Sequence, residues 1–191
     1  ANALTHTFHE LEQWSEAHPE DRVRLKTDDR FLQRCVHESL RLHPASPVAW
    51  REASESFSLP DGTPVAAGDS VLIDLMSANL ETSLFGQDAA SFNPNREVAN
   101  RIPAFGLTFG IGIHTCFGRD IAGGLGNAKE SDQAPHLGTL TNLLKSLLQH
   151  DARPDPARPP VADTSTERPN WGSYPLLIGA PESAKSTGLT G

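Results

Sequence analysis

Phe109-Gly110-Ile111-Gly112-Ile113-His114-Thr115-Cys116-Phe117-Gly118 is the stretch on which the reading of this chain turns. Gly110 and Gly112 permit positive φ and close backbone approach, so a turn here can direct several amide N–H groups at one point, as an anionic ligand atom requires. Cys116 is the candidate for that atom, because a thiolate among backbone donors has a lowered pKa and is a soft metal ligand. Two plainer readings compete. One makes Cys116 a small buried hydrophobe in a glycine turn. The other makes His114 and Cys116 zinc ligands, but neither Cys35 nor the scattered histidines supply the second closely spaced pair that zinc sites use.

Around this stretch, apolar periodicity marks three helices. Leu4, Phe8, Leu11 and Trp14 predict one that ends near His18-Pro19. Asp28-Asp29 then caps a second, with Phe31, Leu32, Cys35, Val36 and Leu40 on one face and Pro44 as its stop. Leu137, Leu140, Leu143, Leu144, Leu147 and Leu148 mark the third. Between Pro44 and Pro64 the pattern is extended, with a turn at Leu59-Pro60-Asp61-Gly62-Thr63 between two short strands, and Gly68-Asp69 gives another turn before a strand at Val71–Leu75. Residues 91–115 show neither period, and an irregular run of that length inside a domain is usually functional. Four prolines from Pro154 to Pro160 enforce an extended crossing toward a closing strand at Tyr174–Ile178.

Charge and composition exclude some functions. At 191 residues the chain is one domain, and its net charge of −8, with no dense basic run among 16 Lys+Arg, would repel a phosphate backbone. Nucleic-acid binding is therefore not expected. No window approaches a membrane span and no secretory signal opens the chain, while two cysteines suit a reducing compartment. A soluble cytoplasmic protein is expected. Because the first residue is Ala rather than Met, a processed product or the later part of a longer protein is expected too.

The stretch from Phe109 to Gly118 resembles the haem-binding loop of the cytochrome P450 superfamily. In that loop Phe, two Gly, a basic residue, Cys and a final Gly stand in these relative places. Further matches follow the family's order: Glu38-Ser39-Leu40-Arg41, Leu42-His43-Pro44, Arg51-Glu52-Ala53 and Phe92-Asn93-Pro94-Asn95-Arg96. The resemblance implies a mainly α fold with small β-sheets, the C-terminal portion of the cytochrome P450 fold, over residues 1–180, with 181–191 a flexible tail. It implies haem b (iron protoporphyrin IX) on Cys116, with Phe109, Gly110, Gly112 and Gly118 shaping the loop, Phe109 packing against the haem, and Arg51 and His114 pairing with its propionates. It also implies a buried network of Glu38, Arg41 and Arg96, and substrate-lining positions at Val48 and Trp50.

On this resemblance the chain is the haem-thiolate half of a monooxygenase that inserts one oxygen atom of O2 into a small apolar substrate. Electrons would come from NAD(P)H through a separate ferredoxin or flavoprotein reductase. The acid-alcohol pair that delivers protons on the distal side is expected just upstream of Ala1, in an N-terminal half that is a separate or preceding chain, so no proton-relay residue is assigned. After the cysteine the sequence departs from the family: Gly123-Gly124-Leu125-Gly126 and the polar run from Asn127 to Pro135 predict an interrupted helix and an insertion, each mid-helix Gly costing roughly 1 kcal/mol. This alters the surface where an electron donor would dock, on which Arg119 is one remaining basic candidate. The alternatives are a haem-binding module or subunit without turnover of its own, and a metal-free interaction domain.

Overall fold

The computed structural model describes residues 2–99, 102–125, 136–165 and 169–179. The apolar spacing near the start forms α1 (Asn2–Ala17), with Thr7, Phe8 and Leu11 buried. Trp14 ties its end to the next helix: Nε1 donates to Asp21 Oδ2 at 2.8 Å and the ring stacks on His18 at 3.7 Å. That next helix, α2 (Asp21–Thr27), has only Leu25 buried and Val23 exposed. With one buried side chain it leaves no apolar stripe in the sequence, which is why periodicity does not announce it.

The Asp28 cap then opens α3 (Asp29–Leu42), its carboxylate accepting from Phe31 N at 2.9 Å. Such a cap contributes ~1 kcal/mol. Ten of the fourteen residues of α3 are buried, so it is the central helix rather than a helix with a single core face. Its apolar side packs with Phe8, Leu11, Leu25, Leu144 and Leu148, and Cys35 is part of that core. Burial raises the Cys35 thiol pKa far above the usual range, which makes it inert.

β1 (Val48–Glu52) leads into a hairpin of β2 (Phe57–Ser58) and β3 (Pro64–Val65), whose turn is closed by Gly62 at φ 88°. β4 (Ser70–Asp74) returns antiparallel to β1, setting Trp50 opposite Leu72 and Arg51 opposite Val71. Two short helices, α4 (Leu75–Asn79) and α5 (Thr82–Phe85), precede the irregular stretch, which contains one 3-10 turn at Gly112–His114. α6 (Arg119–Gly123) stops after five residues, with Gly124 at φ 74°. The polar run 126–135 and the tail 181–191 lie outside the described residues.

α7 (Gly138–Gln149) buries Leu144 and Leu148 and half-buries Leu140 and Leu147 in the core, while Leu143 faces out. β5 (Arg153–Pro154) is followed by a bulged ribbon of β6 (Val161–Asp163) and β7 (Asn170–Ser173), and β8 (Leu176–Leu177) closes on β5. The β6–β7 ribbon carries no alternation of apolar and polar residues and is invisible to periodicity. Tyr174, just after it, meets α1: Oη and His9 Nδ1 are hydrogen-bonded at 3.1 Å, and its ring stands edge-on to Phe8 and Trp171. Among the described residues, helices thus enclose the core and four two-stranded ribbons lie around them. No described helix is long and apolar enough to cross a membrane.

Candidate functional site

Glu38 and Arg41 sit one turn apart on α3 and share a face. Arg41 is fully buried; its Nε and Nη2 donate to Glu38 Oε2 at 2.9 Å and Oε1 at 2.8 Å. Its Nη1 donates to the carbonyls of Asn79 at 2.6 Å and Ala89 at 2.7 Å. Arg96, from the irregular stretch, brings its Nε to Glu38 Oε1 at 3.0 Å, and Asn93 N donates to the same oxygen at 3.1 Å. The rest of the Arg96 guanidinium reaches Asp88 Oδ1 at 2.6 Å and the carbonyls of Phe85, Asp88 and Ser91. That contact with Arg96 holds the Asp88 carboxyl below the usual carboxylate range. A charge group this buried survives because both carboxylate oxygens of Glu38 are engaged and each guanidinium is shared with backbone acceptors.

Asn79, at the end of α4, extends the network toward the cysteine. It is fully buried; Nδ2 donates to Arg41 O at 2.9 Å and to Thr108 Oγ1 at 3.3 Å, and Oδ1 accepts from Leu107 N at 2.7 Å. Thr108 Oγ1 in turn donates to Leu40 O at 2.6 Å. The chain passes so close that a Cβ on Gly106 would lie 2.2 Å from Asn79 Oδ1, and Gly106 takes φ 59°. Sequence reasoning misses Asn79 because no spacing marks it. The only available signal is chemical: an amide can satisfy a backbone carbonyl and a backbone N–H at once.

Downstream, the loop folds back on itself. Cys116 N donates to Phe109 O at 2.7 Å, Gly110 N to Leu107 O at 2.8 Å, and Thr115 N to Gly112 O at 3.1 Å. Gly110 holds φ 66°, and a Cβ there would lie 2.8 Å from His114 O, so both conformation and space require glycine. Gly112 takes φ 61° with open space around it. A Cβ on Gly118 would stand 3.9 Å from Cys116 Sγ, placing that residue beside the sulfur. The thiol itself is exposed rather than buried, against the plain core reading of Cys116. The expected ring of amide donors is not closed on it: among the described residues no N–H donates to Sγ, and the Cys116 amide is spent on Phe109.

The other sequence candidates fall around this loop unevenly. Phe109 is half-buried, its ring edge-on to Phe105 at 5.1 Å. His114 is exposed in the 3-10 turn, and Arg51 on β1 donates from Nη1 to Trp50 O at 2.6 Å. No hydrogen bond or ion pair joins Arg51 to His114 among the described residues. Strand alternation puts Val48 and Trp50 on one face of β1 and Arg51 on the other. Arg119 donates from Nε to Asp120 Oδ1 at 2.7 Å, so its charge is offset by its neighbour. Thr7 on α1 is buried; its hydroxyl donates to Ala3 O at 2.8 Å and is hydrogen-bonded to Ser39 Oγ at 3.0 Å.

A model of the family described as cytochrome P450 matches residues 9–123. The chain belongs to the cytochrome P450 family. Probable cytochrome P450 313a2 of Drosophila melanogaster is 32% identical over 92 residues, which are 46% of this chain and 19% of that protein. Cytochrome P450 734A5 of Oryza sativa subsp. japonica is 35% identical over 99 residues, 49% of this chain and 18% of that one. Among solved structures, a cytochrome P450 (CYP102L1) superposes with a TM-score of 0.67 at 22% identity, covering 93% of this chain and 41% of that chain. CYP109E1 from Bacillus megaterium in complex with corticosterone gives a TM-score of 0.67 at 20% identity, covering 93% and 41%. The matched part is thus about a fifth of the curated relatives and about two fifths of these structures. The fold is that of part of a cytochrome P450, mainly helical with small sheets, and membership implies a haem-iron cofactor.

The residues present fit such a group. One exposed soft sulfur donor stands in a glycine-shaped loop, as haem-thiolate ligation needs. Beside it in sequence Ile113 is 96% exposed and Ile111 and Phe117 are largely or fully so. A flat apolar macrocycle is the kind of ligand that removes such side chains from water.

Proposed function

We propose that residues 1–180 form the C-terminal, haem-thiolate part of a monooxygenase catalytic domain, with Cys116 as the residue that would ligate the iron. The observation that carries this reading is the exposed Cys116 at the end of a closed glycine loop, tied through Leu107 and Asn79 to the buried Glu38–Arg41–Arg96 cluster. Haem b held there would supply the activation of O2 needed to insert one oxygen atom into a C–H bond.

The chain's own residues do the holding. Cys116 would supply its thiolate to the iron, Gly110 and Gly112 let the backbone turn before it, Gly118 leaves room beside the sulfur, and Phe109 would pack against the haem. Arg51 and His114 pair with the propionates, a guanidinium and an imidazole being suited to two carboxylates. Val48 and Trp50 line the approach of a small apolar substrate, and Trp50, 62% exposed opposite exposed Leu72, offers apolar surface for one. The corticosterone held by CYP109E1 is a ligand of that chemical kind. Electrons arrive from a ferredoxin or flavoprotein reductase, and the proton-delivering residues belong to a preceding part of the domain.

The deciding measurement is the optical spectrum of the reduced, CO-treated protein for wild type and Cys116→Ala. The red-shifted Soret band of thiolate ligation is expected in the wild type and absent in the variant. A wild type that binds haem without that band overturns the assignment.

A further inference from the structure

We infer that His37 is a positioning residue for the Cys116 thiolate, gripping the polypeptide on both sides of it. This rests on the haem-thiolate reading. Cys116 is exposed and is fixed by its backbone alone, through Cys116 N to Phe109 O at 2.7 Å and Arg119 N to Cys116 O at 3.2 Å. Where Sγ stands is therefore decided by the two limbs that carry it, the Phe105–Phe109 limb before and α6 after.

His37 touches both limbs from the centre of α3. Its Nε2 donates to Gly123 O, the last carbonyl of α6, at 2.7 Å, and its ring stands edge-on to Phe105 at 5.3 Å and 85°. Phe105 is in the same relation to Phe109 at 5.1 Å, and a Cβ on Gly123 would lie 3.3 Å from Phe109 Cε2, so the two limbs also meet each other there. Gln33, one turn earlier on α3, adds a second buried donor: Nε2 lies 2.8 Å from His136 O and 3.4 Å from Gly123 O. The end of a helix leaves carbonyls without intrahelical partners. α6 is only five residues long, so these two α3 side chains replace bonds a longer helix would have made itself. Burial keeps the imidazole of His37 below its ordinary pKa, hence neutral, and a neutral ring bonded to a carbonyl through Nε2 carries its proton there. Meeting the carbonyl after the cysteine and the aromatic pair before it makes His37 a second-layer support of the iron ligand.

The test uses the full-length, haem-loaded protein and three readouts: the thiolate band of the reduced CO complex, the rate of haem transfer to an excess of apoglobin, and Tm. His37→Phe keeps the ring and its edge contact but removes the donor. Its haem transfer is expected to be about tenfold faster or more, with part of the CO complex in the blue-shifted, thiol-ligated form. His37→Gln, which keeps an N–H donor, should recover most of the retention. Val36→Ala, a buried neighbour on the same helix, should lower Tm while leaving the band unchanged and the transfer rate within about twofold. If His37→Phe does not fold, Gln33→Leu serves instead, with about threefold faster transfer expected, and wild-type transfer in that variant overturns the inference. Wild-type band and rate in His37→Phe, or a Val36→Ala that loses haem in proportion to its Tm, also overturn it while the haem-thiolate reading stands. A wild type without the thiolate band overturns both.

Discussion

The face of α3 that carries Glu38 and Arg41 and the loop that carries Cys116 are built in opposite ways. The first is enclosed, with Arg41 held at two points by Glu38 and Glu38 shared with Arg96. The second puts its functional atom and its largest apolar side chains in solvent and is held by a few backbone hydrogen bonds. Buried paired charges cost a great deal when broken, whereas an exposed thiol costs little when replaced. Structural consequence and chemical consequence are therefore assigned to different residues, with Asn79 before the cysteine, Gln33 after it and His37 on both sides joining the two regions.

Substitutions can be ranked along that contrast. Glu38→Ala leaves Arg41 and Arg96 without their shared carboxylate and should destabilise by about 3–5 kcal/mol, read from denaturant midpoints. A loss under ~1 kcal/mol would mean that the cluster is far more solvated than its burial indicates. Asn79→Ala strands Arg41 O and Leu107 N and should cost about 1–3 kcal/mol. It should also speed haem loss, which distinguishes it from a purely internal defect. Gly110→Ala and Gly112→Ala share the positive-φ penalty, roughly 1–2 kcal/mol. Only the first adds the clash with His114 O, so its Tm should fall further, and equal losses would break the claim that the loop is closed at Gly110.

Acid should act through the buried histidines. Burial, and next the neighbouring His43, lower the pKa of His6, and burial lowers that of His37. Below about pH 6.5 the unfolded chain takes up protons that the folded chain refuses. Stability from these groups is present above that pH and lost as pH falls toward their lower folded values. Tm measured across that window should decline, with a shallower slope in His37→Gln. At the small end, Cys116→Ser without haem should shift stability by less than ~0.5 kcal/mol, measured by thermal melting. A large loss would show that the sulfur is packed rather than presented.

Much of this was readable from residue order. The Phe109–Gly118 loop, the Glu38–Arg41 pair and Arg96 are marked by residue type at fixed spacing. α1, α3 and α7 follow from apolar period because each buries a stripe. What escaped has physical causes. α2 buries one side chain, β6 and β7 bury almost none in alternation, and the polar residues of α3 are buried through partners far away in sequence. Gln33, His37 and Asn79 act on backbone carbonyls and amides supplied by other segments, and no spacing along the chain encodes which carbonyl folds back to meet them. The amide ring expected around Sγ failed for a local reason: closing the Phe109–Cys116 turn uses the Cys116 amide.

Tyr174 is the chain's one tyrosine, wedged between α1 and the β6–β7 ribbon. Burial, then the carboxylates of Glu12 and Glu16, push its phenol up to about 12, whereas a free phenol ionises near ~10. Between those values, ultraviolet absorbance of the phenolate counts molecules in which the C-terminal ribbon has come away from the first helix, an intrinsic optical probe that owes nothing to iron.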